Sequence, residues 1–125
     1  MPNLEPEDNL KIAKEHLERV QAAWDIPTDW KDLCLYGFYC LEAAIKAASL
    51  HVGIPVQSTH PSKASAAQNL HKNHGLPDVE QLLIELNQAR KAEAYGDVPR
   101  PELNAEETAI EIEEYVDAVE DLIRA

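Results

Sequence analysis

Apolar positions recur every three or four residues along most of the chain, and no segment alternates with period two. That pattern predicts helices and no sheet. Leu10, Ala13, Leu17, Val20 and Trp24 form a first amphipathic stripe. Its acids come early, where they suit the helix dipole, and "DIPTD" breaks it. Asp29 is placed to cap a second helix, "WKDLCLYGFYCLEAAIKAASLHVG", which Gly53 ends. This segment is apolar almost all round, so it must be buried on more than one side, as the central helix of a bundle or against a second subunit.

"IPVQSTHPSKAS" reads as a loop, followed by a short helix from Lys63 closed by Gly75. Pro55, Pro61, Pro99 and Pro101 fall between the periodic segments as punctuation. Asp78 is a candidate cap for a fourth helix, with Val79, Leu82, Leu83, Leu86 and Ala89 facing inward. The last helix follows Asn104, with Glu107 close to a capping-box position. Thr108, Ile112, Tyr115, Val119 and Leu122 form its stripe. The expected fold is all-α, an antiparallel bundle of about five helices. One domain over residues 1–125 accounts for the length.

Composition adds few constraints. Hydrophobic residues make up 45% of the chain, enough for a core. No uninterrupted apolar run suggests a membrane span, and the acidic start "MPNLEPEDNL" does not read as a signal peptide, so a cytoplasmic protein is expected. Cys34 and Cys40, six apart on one helix, are expected to be reduced core thiols.

Charge changes the picture more. The net charge of −12 should repel nucleic acid overall. It is unevenly spread: residues 102–125 carry nine acids and one base, whereas residues 26–75 carry three acids and four lysines. Any phosphate ligand therefore requires the last helix to face away from it.

Candidate chemistry is sparse. There is no Gly-x-Gly-x-x-Gly, no Gly-Lys-Ser/Thr and no Gly-x-Ser-x-Gly, which excludes a P-loop, a Rossmann turn and a nucleophile elbow. His71 and His74 could hold zinc only with a third ligand from elsewhere, and their place at a helix end suits capping. No metal and no cofactor are expected. The unusual residue is Arg90, which continues the apolar stripe of Leu83 and Leu86, with Tyr95 five residues on. A guanidinium there is either a snorkelling structural partner for a carboxylate or a fork for phosphate.

Taken in order, "YGFYCLEAAIKAASLHVGI", a loop with "STH", "LLIELNQARKAEAYGD" and a final "AIEIEEYVDAVEDLI" resemble the HEPN domain family (higher eukaryotes and prokaryotes nucleotide-binding) over about residues 30–125. The resemblance implies a homodimer. In many members an arginine is followed about four to six residues later by a histidine, and two copies meet across the dimer cleft to cleave RNA without metal. Others bind nucleotides or RNA without cleaving, or partner a nucleotidyltransferase in toxin–antitoxin pairs. Arg90 matches the family arginine, while Tyr95, Gly96 and Asp97 stand where the histidine would fall. The sequence is similar to a small bacterial subset with Arg-x-x-x-x-Tyr.

A phenol, with an ordinary pKa of about 10, is a poor base for 2′-OH attack near neutrality. The expectation is therefore a nucleotide- or RNA-binding accessory protein with little or no catalysis, using Arg90, Tyr95, Asp97 and His60. Two alternatives stand beside it. One is a metal-independent ribonuclease using Arg90 and Tyr95 with a histidine from elsewhere, such as His60. The other is a protein–protein interaction module without a ligand.

Overall fold

The computed structural model describes residues 5–96 and 101–125. Five helices follow in order: α1 (Pro6–Ala23), α2 (Trp30–Val52), α3 (His60–His74), α4 (Glu80–Tyr95) and α5 (Ala105–Arg124). No strand occurs among the described residues. α2 occupies the centre and packs on all four other helices. Most of its apolar surface is buried inside the same chain. By length and hydropathy α2 would suffice to cross a membrane, a property that looking for uninterrupted apolar runs misses; 67% of that window is buried within the protein.

Contacts set the directions. His16 lies against Tyr39, Arg19 against Tyr36 and Cys40 beneath Ala13, so α1 and α2 run antiparallel. Lys14 pairs with Glu120 and Arg124 reaches Glu7, so α1 and α5 are antiparallel as well. α2 and α5 therefore point the same way. Gly37 lies where Leu86 of α4 and Ile112 of α5 both press on α2: a Cβ there would meet Ile112 Cδ1 at 3.0 Å.

The capping chemistry explains most boundaries. Asp29 accepts from the Asp32 N–H, Asn104 accepts from the Glu107 N–H, and Gly53, Gly75 and Gly96 end their helices at positive φ. Two boundaries differ from the sequence reading. α3 begins at His60, not Lys63, because Thr59 caps it by accepting from the Ser62 N–H. Pro61 stands in its first turn, where a missing N–H costs nothing; the proline opens the helix instead of preceding it. At α4 the capping position belongs to Val79, whose carbonyl accepts from the Leu83 N–H. The Asp78 carboxylate, one residue earlier, accepts from the Glu80 N–H, and Val79 is buried in the core.

Both cysteines are buried in the core. The Cys40 thiol donates to the Ala13 carbonyl, and burial pushes its pKa up to about 12. His71 uses Nδ1 at the end of α3, 2.9 Å from the Leu76 carbonyl.

Candidate functional site

Phe38 of α2 is 1% exposed and is the focus of the site. From α4, the Arg90 guanidinium carbon lies 4.9 Å from its ring centroid; from the first turn of α3, the His60 ring meets it edge-on at 4.9 Å. Two residues thirty apart in sequence thus share one aromatic ring. Arg90 is half-buried. Its Nη2 donates to Asn87 Oδ1 at 2.7 Å, one helical turn back, while its buried Nε has no hydrogen-bond partner. Among the described residues no carboxylate pairs with Arg90. Among the described residues the guanidinium is held by an amide and by ring faces, which position its charge.

His60 has a different support. Its Nδ1 lies 2.7 Å from Glu42 Oε2, and Lys63 Nζ lies 3.5 Å from the other carboxylate oxygen. Glu42 is 7% exposed, on the otherwise apolar middle of α2. A hydrogen bond from the imidazole and the ammonium of Lys63, both from α3, thus satisfy a carboxylate that burial would otherwise penalise. With Nδ1 donating to Glu42, the second ring nitrogen of His60 is the basic one.

Between α3 and α4 lies an open groove of about 390 Å³, with Phe38, Leu83 and Ile84 on its apolar side and His60, Asn87 and Lys91 supplying polar atoms. Its chemistry suits a ligand with a flat apolar part and an anionic part. A second groove, of about 330 Å³, runs between the start of α4 and α5. It is lined by Asp78, Glu85, Glu102, Glu107 and Glu111, a set that repels phosphate. Most of the remaining α5 carboxylates face solvent. Glu120 is held below its ordinary pKa by its hydrogen bond from Lys14.

The sequence-selected residues do not all gather. Arg90 and His60 meet on Phe38. Tyr95 is 73% exposed, about 140° around α4 from Arg90 by helix geometry, and among the described residues no contact brings it to the groove. Asp97 lies outside the described residues. Sequence reading missed Phe38, Glu42, Asn87 and Lys91. Glu42 did carry a signal: it is the one acid in the chain between Asp32 and Asp78. An acid on an apolar helix implies a buried partner. The described residues hold no cluster of three or more His, Cys, Asp or Glu suited to a metal ion.

A family model described as "HEPN domain" matches residues 6–125, so the match takes in α1 as well as the segments that suggested the resemblance. No curated protein and no solved structure matches the chain.

Proposed function

The chain belongs to the HEPN domain family, and from that membership we propose that it binds RNA or a nucleotide where Arg90 and His60 meet on Phe38. In this reading it is a homodimeric accessory protein, one half of a toxin–antitoxin type pair with a nucleotidyltransferase. HEPN domains commonly dimerise and are generally tied to nucleotides or RNA, which supports the dimer and the ligand class. The observation that carries the ligand is Arg90 itself, a half-buried guanidinium held over a ring by Asn87. Such a fork binds a phosphate bidentately, and the neighbouring groove offers apolar surface for a base.

One contact favours a second reading. The Glu42–His60 pair resembles a general base oriented by a carboxylate. In RNA cleavage the free His60 nitrogen would take the 2′-OH proton and the 2′ oxygen would bond to phosphorus. The P–O5′ bond would then break, and the imidazolium would return the proton to the leaving oxygen. The products are a 2′,3′-cyclic phosphate and a 5′-hydroxyl, and nothing else is consumed.

Two variants test both readings. Arg90→Ala should fold and lose about tenfold or more in RNA or nucleotide affinity, measured by fluorescence anisotropy. A folded Arg90→Ala protein with wild-type affinity for every RNA and nucleotide tried would sink the binding reading and leave an interaction module. Cyclic-phosphate ends formed by the wild type in chelator and lost in His60→Asn would establish the second reading. Their absence from the wild type would end it.

A further inference from the structure

The ring that carries Arg90 is one member of a longer series. Arg19 of α1 lies 5.4 Å from the Tyr36 ring. Tyr36 stacks with His16 at 5.7 Å and 30°, and His16 meets Tyr39 at 5.9 Å. Tyr39 is 6.0 Å from Phe38, and Arg90 spans the two at 6.0 and 4.9 Å. Rings and guanidinium groups from α1, α2 and α4 thus form one unbroken line with an arginine near each end. Phe38 is buried, but Tyr39 is 38% exposed, Arg19 is exposed, and Tyr36 and His16 are half-buried, so the line runs along the surface. Three of the chain's seven Phe, Trp and Tyr residues fall within four positions of α2; Tyr36 packs in part on the core, while Tyr39 opens outward.

We infer that this line is a binding track for single-stranded RNA, leading away from the Arg90 site along α2 and α1. The inference rests on the reading of Arg90 as a phosphate contact, and it adds the class of RNA and its path. Tyr39, the exposed ring of the series, accepts an unstacked base, while the arginines take backbone phosphates on either side. A duplex keeps its bases stacked and offers none to the rings. Burial lowers the His16 pKa, so at neutral pH the imidazole serves as a ring and not as a charge. Of the charges that act on it, Glu15 favours its protonated form and Arg19 opposes it.

Length dependence tests the track. Anisotropy would compare a labelled dinucleotide, a single strand of about eight nucleotides and a duplex of equal length. The single strand should bind about tenfold or more tightly than either. Arg19→Ala should remove most of that gain, leave dinucleotide affinity unchanged, and preserve the helical circular dichroism; Tyr39→Ala should remove most of that gain with the circular dichroism preserved. Tyr39→Phe should keep it. Arg19 is solvent-exposed, so its variant tests the track even where a tyrosine variant misfolds. Equal affinity for all lengths, with Arg90→Ala still abolishing binding, would overturn the track and spare the Arg90 site. A length-dependent gain kept in full by both Arg19→Ala and Tyr39→Ala would do the same. A wild type that binds no RNA would overturn the track, and one that binds neither RNA nor any nucleotide would overturn both. A change of oligomeric state in Tyr39→Ala, seen by light scattering, would assign the surface to a second copy of the chain and overturn the track.

Discussion

Two faces of this bundle answer opposite chemical demands. Around Phe38 cationic and aromatic side chains converge, and the carboxylate nearest in the site, Glu42, is buried and paired with His60 and Lys63. Across the start of α4 and along α5, carboxylates line a groove and crowd the solvent-facing side. The backbones of α4 and α5 stay apart, with α2 beneath both. The contrast shows how little a net charge excludes. A total of −12 describes the molecule seen from far away. At contact range, and with a screening length of about 8 Å in physiological salt, a ligand responds to the face it meets.

The strongest test of the contrast places one substitution on each face. Glu42→Ala removes the buried carboxylate and leaves Lys63 and His60 without their partner; it should cost about 1–3 kcal/mol of folding stability by urea denaturation. Glu111→Ala removes an exposed carboxylate and should change stability by less than about 0.5 kcal/mol. Equal costs would show that Glu42 is not held as its contacts imply.

A smaller effect tests electrostatic separation. Glu107→Gln with Glu111→Gln should raise RNA affinity less than about threefold at physiological salt, and more at low salt. A rise above tenfold at physiological salt would place the acidic groove within reach of the bound RNA and collapse the distinction between the faces.

The smallest effects are in pH, and they have opposite origins on the two faces. His16 has a folded-state pKa below its ordinary 6.5, chiefly because burial disfavours its charged form. The unfolded chain then binds more protons, so stability falls as pH drops below 6.5 and levels once the folded-state imidazole is also protonated. His16→Gln should flatten that dip in melting temperature. Glu120 has a folded pKa below its ordinary 4.5, set first by the hydrogen bond from Lys14. Its contribution is present above 4.5 and fades as pH falls through the lowered value. Lys14→Met should remove that acid-side slope and leave the region near 6.5 unchanged.

The helices were legible where burial follows from one stripe. Leu10, Ala13 and Val20 are all buried, as are Leu82, Leu83, Leu86 and Ala89. Boundaries failed where a local signal has two meanings. Pro61 marks a break when read alone, yet it suits the first turn of a helix once Thr59 caps it. Arg90 stood out because a guanidinium interrupts an apolar stripe. Its neighbours did not, because Phe38 and Asn87 look ordinary in their own segments.

The sequence by itself determined the helical class, the order of five segments and most caps, together with the segregation of acids into the last helix. These depend on residues within about a turn of one another, so spacing alone carries them. Tertiary structure decided that α2 is buried by its own chain, that His60 leans on Glu42, and that His60 and Arg90 share one ring. It also decided that Tyr95 faces solvent. Each of these depends on how helices distant in sequence cross, and crossing is set by packing of whole faces, which no local pattern encodes.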